Sequence, residues 1–293
     1  MNTTHAHVYE VRATQDESAA LYALELLDGH LVECGMFSHN DMVHLCISSQ
    51  VGCPIGCLHC ATTHSSVRFV RNLTEPELAD ICGLLLQRAS MLRMTPVLSF
   101  SGHGEPLLNW ESVRTVMQSF CPSRIPLCYV TTIGIRETVD DLLAVSPDLL
   151  AVYISLHGPT DDLRQCIVPP HPRVCNCAEL QSFARRCLSQ SRRVVFNYVL
   201  TNHNTTDDCV AHMASFFDDS LRDCELRLLR LNDVPGSPLL PLGEDESQRF
   251  FASVSAIVPH VRVRLTRSVG DACGIACGQL RARARSDLAE EAV

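Results

Sequence analysis

Cys53, Cys57 and Cys60 stand in the run Val51-Gly52-Cys53-Pro54-Ile55-Gly56-Cys57-Leu58-His59-Cys60, a C-x3-C-x2-C loop. Three thiolates this close in sequence can each take one iron of a [4Fe-4S] cluster; a fourth cysteine would close it. With only three, one iron is left to bind a small molecule through nitrogen and oxygen. Two other readings stay open. A zinc site would need a fourth ligand, which His59 or His64 could supply, or the thiols are simply free. A second stretch with chemical potential is Gly102-His103-Gly104-Glu105-Pro106. Its glycines let backbone approach a ligand closely, and its carboxylate can accept from an ammonium group. A tight turn is its plainer reading.

The elements that must position these residues alternate. Leu21–Leu26 and His30–Phe37 flank Leu27-Asp28-Gly29, a hairpin signal, and Met42–Ile47 reads as a strand leading into the cysteine loop. Thr74-Glu75-Pro76-Glu77 is a capping box that opens a helix to about Arg93. Strands are then expected at Pro96–Ser101, Pro126–Thr132, Leu150–Leu156, Arg193–Leu200, Glu225–Leu231 and Val261–Thr266. Helices are expected between them, at Glu111–Phe120, Glu137–Val145, Cys177–Leu188, Thr206–Phe217 and Glu244–Ile257. This pattern predicts an α/β fold with a parallel sheet, a partial (β/α)6-type barrel preceded by a β-hairpin lead-in. Residues 1–45 form the lead-in packed on the barrel, and 46–293 form the barrel with a C-terminal tail. Sites in such barrels lie at the C-terminal ends of the strands. The cysteine loop, the Gly-His-Gly-Glu-Pro loop, Thr131, Ser155-Leu156-His157 and Asn232 all follow or end a predicted strand.

Composition narrows the setting. The chain has 293 residues, 46% hydrophobic, and no apolar run as long as a membrane span. Met1–Glu10 is polar and lacks a secretory pattern. Sixteen cysteines without an export signal point to a reducing compartment, the cytoplasm, with thiols used for metal and redox work. The formal charge is −9 and all 24 basic residues are arginine. That balance counts against broad electrostatic capture of nucleic acid, while leaving room for a local arginine groove.

The cysteine loop resembles that of the radical S-adenosylmethionine (SAM) enzymes. With Cys46, Glu33 and Cys277 added, the chain resembles the RlmN/Cfr-type radical SAM methyltransferases. The matching stretches run in order: Cys46–Cys60, Arg71-Asn72-Leu73, Gly104-Glu105-Pro106-Leu107-Leu108-Asn109, Ile154-Ser155-Leu156-His157, Ile167-Val168-Pro169, Pro235-Gly236-Ser237-Pro238 and Ala276-Cys277-Gly278-Gln279-Leu280. The resemblance implies a [4Fe-4S] cluster on Cys53, Cys57 and Cys60. It implies SAM contacts at Gly104, Glu105, Thr131, Ser155, Leu156, His157 and Asn232; the family usually has serine in place of Thr131. It also implies that Cys277 accepts a methyl group from one SAM. A radical made from a second SAM activates that methyl, which adds to an electron-poor adenine carbon, C2 or C8. Glu33 then acts as base, and Cys46 forms a transient disulfide with Cys277 that releases the product. A one-electron reductant such as flavodoxin or ferredoxin, and a monomeric enzyme, are expected.

The family normally has a helical RNA-binding domain before the lead-in, and this chain is expected to lack it. Ala61–Val70 and Arg230–Val234 also depart from the family pattern. Two substrates therefore stand open: RNA, or a free nucleotide or small heteroaromatic metabolite. A groove of Arg68, Arg71, Arg281 and Arg283 would favour RNA. Arg285 could extend it. Cys34, beside Glu33, and Cys273, near Cys277, are thiols that could intercept the disulfide. Cys175-Asn176-Cys177 is too tight for a zinc pair and carries no assigned role.

Overall fold

The computed structural model describes residues 4–16, 18–65, 68–120 and 127–266. These fall into two compact units, one of residues 4–54 and 61–130, the other of residues 55–60 and 131–266.

The first unit begins with four antiparallel strands, β1 (Ala6–Ala13), β2 (Ala19–Leu26), β3 (Leu31–His39) and β4 (Met42–Ile47). The β2–β3 turn is made by Asp28-Gly29, with Gly29 at φ +77° where a side chain would be strained. Next come β5 (Gln50–Val51), α1 (Ala61–His64), β6 (Arg71–Asn72) and α2 (Glu75–Leu92). Then follow β7 (Thr95–Phe100), α3 (Trp110–Phe120) and β8 (Cys128–Thr132). β4, β7 and β8 pair in parallel, so the sheet changes from antiparallel to parallel at β4. The alternation of β4 explains its seat: Val43, Leu45 and Ile47 are fully buried. α2 presents Leu78, Ile81, Cys82, Leu85 and Ala89 as its buried face, at helical spacing.

The second unit contains α4 (Val139–Leu143), β9 (Leu150–Ser155), α5 (Asp161–Gln165), α6 (Cys177–Ser189) and β10 (Val194–Leu200). It ends with α7 (Asp207–Phe216), β11 (Glu225–Arg230), α8 (Glu244–Ile257) and β12 (Arg262–Thr266). β9 to β12 pair in parallel, each with the next. Phe196 of β10 meets Phe216 and Phe217 edge-on at 5.4 and 5.2 Å between ring centres, and Tyr198 stacks on Phe250 at 6.0 Å. These contacts mark the helix-covered side of the sheet. The other side carries Ser155, Asn197, Arg227 and Arg264 in one register row.

Every strand and helix expected from sequence forms, with ends moved by one to two residues. Five of the labelled elements are additions: β1, β5, α1, β6 and α5. β1 is an edge strand that exposes Val8, Tyr9 and Val11, so its pattern does not read as a buried face. α5 is one short turn of helix inside the proline-rich loop, started by Thr160 accepting from the Leu163 amide.

Several cysteines are packing residues. Cys177, Cys187 and Cys224 have thiols pushed up to about 12, and Cys175 to about 11, burial being the first cause in each. Asn176 between Cys175 and Cys177 caps α6 through a reciprocal box with Glu179. These pKa values lie above the ordinary thiol value of 9.0, so their contribution to stability is complete below about pH 9. It is lost as pH rises from there towards the folded values. The urea midpoint is expected to fall between pH 9 and 11, and to fall less in Cys187→Ala. Thr74→Ala, which removes the α2 cap, is expected to cost about 1 kcal/mol in the same unfolding measurement.

Candidate active site

In the first unit, register brings Glu33 and Cys46 to one face. Gly35 pairs with Cys46, and Glu33 lies two residues before Gly35 on β3. Paired residues and their i±2 neighbours project from the same side of a sheet. Glu33 is 3% exposed and Cys46 5%. Cys46 pairs with Ser99 across to β7, and its Sγ lies 3.3 Å from Ser101 Oγ, which in turn lies 2.5 Å from Ser99 Oγ. The Ser48 hydroxyl donates to the Glu33 carbonyl. Cys34 projects from the opposite face. Its thiol is pushed well up by burial, then by the Glu33 charge and by Cys82 of α2. It is thus held protonated on the helix side, which removes it as a competing nucleophile.

The loop after β7 is laced to the loop after β4. The His103 amide donates to Ser48 Oγ (2.8 Å), Ser49 N donates to the His103 carbonyl (2.8 Å), and Glu105 N donates to Gln50 Oε1 (2.9 Å). Asn109 Nδ2 donates to the carbonyls of Ser49 and Leu73. Gly104 has φ +97°, and a Cβ there would stand 2.6 Å from Gln50 Cβ. Glu105 is buried, and its Oε1 accepts from Leu107 N at 3.0 Å, capping the 3-10 turn Pro106–Asn109.

The cysteine loop leaves β5 through Gly52, at φ +76°, where a Cβ would stand 2.4 Å from the Arg68 carbonyl oxygen. Cys53 belongs to the first unit, Cys57 and Cys60 to the second, and all three are half-buried. In the second unit, Leu58 between the two cysteines is held at both backbone groups. Its amide donates to the Ile167 carbonyl (2.9 Å), and its carbonyl accepts from Ser237 Oγ (2.8 Å). The Ile167-Val168-Pro169 and Pro235-Gly236-Ser237-Pro238 stretches singled out in the sequence thus fasten the cysteine loop.

Ser155 ends β9, with Leu156 and His157 following, all three buried. The Leu156 amide donates to the Asn197 carbonyl, and His157, at φ +59°, accepts from Val199 N on Nδ1 at 3.1 Å. Burial, then the nearby His59 and Arg164, push the His157 pKa well down. The ring is therefore neutral with its proton on Nε2. The His59 and His157 rings meet edge-on at 4.7 Å. Asn204, fully buried, donates to the carbonyls of His157 and Val199. Thr131 is half-buried on β8. Asn232 follows β11, and its buried Oδ1 has no hydrogen-bond partner among the described residues.

These features fit the implied groups. Among the described residues no three Cys, His, Asp or Glu side chains gather to hold one metal ion. In a cluster each thiolate takes a different iron. The Asn232 oxygen is an acceptor with a desolvation cost that a donor on a ligand would repay. The missing side chain at Gly104 lets its backbone pack against Gln50 and Ser49, which fixes the loop that presents Glu105.

Arg71 does not serve as a free groove residue. Its guanidinium bonds both Asp28 (2.6 Å) and Glu77 (2.8 Å). Cys277, Cys273, Arg281, Arg283 and Arg285 lie outside the described residues. Ser48, Gln50, Asn109, Asn204 and Arg164 are site-building residues without a site role in the sequence reading; the first three lie inside family-matching stretches, and Asn204 and Arg164 carry no local signal because each acts through side-chain bonds to backbone.

No family model matches the chain. A Desulforamulus reducens protein named probable dual-specificity RNA methyltransferase RlmN is 30% identical over 287 residues, covering 94% of this chain and 78% of that protein. An Opitutus terrae protein named probable dual-specificity RNA methyltransferase RlmN 1 is 32% identical over 275 residues, covering 89% and 75%. A crystal structure of a radical SAM methyltransferase from Sphaerobacter thermophilus superposes with a TM-score of 0.84 at 28% identity, covering 96% of this chain and 82% of that one. Streptococcus suis SuiB, solved with S-adenosylmethionine, shares the fold alone, at a TM-score of 0.56 and 11% identity. The fold class is that expected, the α/β radical SAM partial barrel with its hairpin lead-in. Identity, coverage and fold agree, and the chain belongs to the RlmN family of radical SAM methyltransferases.

Proposed function

We propose that the chain methylates an adenine carbon of RNA through a methyl carried on Cys277. Support for the RNA substrate comes from the relatives, which are named as RNA methyltransferases. Support for the two-cysteine chemistry comes from one observation, the shared buried face of Glu33 and Cys46.

In this reading Cys53, Cys57 and Cys60 hold a [4Fe-4S] cluster, and Gly104, Glu105, Thr131, Ser155, Leu156, His157 and Asn232 hold SAM. Bound together, these two groups supply the methyl group and the one-electron chemistry that an unreactive aromatic carbon requires. The chain's own residues do the rest. Glu105 offers a carboxylate, and Asn232 an oxygen, to donors on the ligand. His157, kept neutral, adds no positive charge beside a sulfonium. Cys277 carries the methyl as a thioether. Glu33 takes the proton from the methylated carbon, its burial excluding water that would compete for the same position. Cys46 attacks the Cys277 sulfur, forming a disulfide as the bond from that sulfur to the product breaks. Two equivalents of a small thiol then restore both cysteines and leave joined in a disulfide of their own, which suits a cytoplasmic setting. No helix among the described residues is long and apolar enough to cross a membrane. The electron comes from a flavodoxin- or ferredoxin-type donor, and the enzyme acts as a monomer.

The test is anaerobic reconstitution followed by turnover with RNA and, separately, with free adenine nucleotides. The expected result is methyl label on adenine carbon in RNA, a methyl group on the Cys277 peptide by mass spectrometry, and loss of RNA methylation by on the order of a thousandfold or more in Cys277→Ala. Label in the nucleotides but not in RNA contradicts the substrate. Turnover with Cys277 unmodified throughout contradicts the carrier.

A further inference from the structure

Arg164, in the last turn of α5, is 5% exposed. Its Nη1 donates to the Cys175 carbonyl (3.2 Å), and its Nη2 donates to the carbonyls of Ile133 (2.9 Å) and Ser155 (3.4 Å). Its Nε is buried with no hydrogen-bond partner among the described residues. All three acceptors are neutral. No ion pair joins Arg164 to a carboxylate among the described residues, and Asp161 on the same helix is engaged by the Cys177 amide at 2.7 Å. A guanidinium stays charged in a protein, burying it is costly, and the one carboxylate acting on Arg164, Asp161, does so without a direct hydrogen bond and more weakly than the thiols around it.

The backbone around Arg164 ties it to the cysteine loop. Its carbonyl accepts from the amides of Ile167 and Val168, and the Ile167 carbonyl accepts from Leu58, between Cys57 and Cys60. Gly158 makes the approach possible, since a Cβ there would stand 2.3 Å from Arg164 N. Burial pulls the Arg164 pKa down, and the two strongest opposing influences are the thiols of Cys177 and Cys57. Cys177 stays protonated near neutral pH, its own thiol pushed up to about 12. Cys57 is the only one of these two in the metal-binding motif.

Arg192 provides the internal contrast. It is 1% exposed and also donates to backbone carbonyls, of Leu150 (3.0 Å) and Val145 (2.5 Å). It sits where β9 and β10 begin, away from the strand ends that carry the site, and the thiol acting on it, Cys187, is pushed up to about 12. Arg192 is a structural clamp. Arg164 shares the clamp's bonding, but its backbone is tied to the loop that carries Cys57, and the Cys57 thiol is among the charges acting on it.

We propose that Arg164 is the built-in counter-charge of the iron–sulfur centre and raises its reduction potential. This rests on the reading of Cys53, Cys57 and Cys60 as cluster ligands. A cluster held by three thiolates carries net negative charge, which deepens when it accepts an electron. A fixed buried cation nearby favours the reduced form, and net charge is among the determinants of such potentials.

The test is an EPR-monitored redox titration of the reconstituted wild type, Arg164→Gln and Arg164→Lys, without SAM, with absorbance reporting loading and circular dichroism reporting fold. At a fixed poise, Arg164→Gln is expected to lower the ratio of reduced to oxidised cluster on the order of tenfold, about 59 mV for a one-electron couple. Arg164→Lys, which keeps the charge and loses the fork, is expected to stay within about threefold of wild type. An unchanged ratio in Arg164→Gln, or an equal fall in both variants, overturns the proposal. If Gln loads no cluster while Lys loads one at the wild-type potential, the charge is required and the proposal stands. If neither loads, the residue acts through packing and the proposal falls. A wild type with no one-electron-reducible cluster refutes the ligand reading itself, a separate failure.

Discussion

The site depends first on the register of three neighbouring strands. Gly35 must pair with Cys46, and Cys46 with Ser99. Only then do Glu33 and Cys46 leave the sheet on the side opposite α2. A slip of β4 by one residue would turn Cys46 towards the helix, away from the face that carries Glu33, and carry Val43, Leu45 and Ile47 out of it. Each of those side chains is fully buried, and losing such burial costs roughly 1.5–3 kcal/mol apiece. The hydrophobic side of β4 thus enforces the chemical side. Gly35 fits the same constraint, because a Cβ there would stand 2.7 Å from the Phe37 ring.

On that frame the loops at strand ends are set by bonds from side chains to distant backbone. Ser48, Gln50 and Asn109 join segments that lie 55 to 60 residues apart in sequence. Leu58 is bonded to Ile167 and Ser237 in the same manner. Such bonds give a loop one geometry without a regular element, which a ligand-binding loop needs. The electrostatics follow the same logic. His157 is held neutral by burial and by its acceptor role on Nδ1, while Arg164 stays charged with only backbone carbonyls as hydrogen-bond partners among the described residues. Nearby burial therefore suppresses one charge and isolates another.

Much of this was legible in the residues, and the boundary is physical. The α2 start is written in Thr74 and Glu77, and both halves of that box form. The limits of α8 match its apolar spacing residue for residue. The cysteine motif, the Gly104-Glu105 loop and the ends of β9 and β11 are legible because local spacing carries them. β1 was not, since an edge strand needs no buried face. α5 was not, because it is too short to show a period. Arg71 looked available for RNA, but its two carboxylate partners lie on other elements, so only the fold reveals the pairing. Arg164 gave no signal at all. A single arginine in a polar turn reads as solvated until three carbonyls are found around it.

The face shared by Glu33 and Cys46 has meaning only if Cys46 resolves a covalent adduct on Cys277. Turnover of Cys46→Ala with RNA, followed by denaturing gel analysis and peptide mass spectrometry, tests this directly. The account predicts RNA covalently held at Cys277, with methylated RNA no longer released. Release of methylated RNA at the wild-type rate, with no protein-bound RNA, would contradict it.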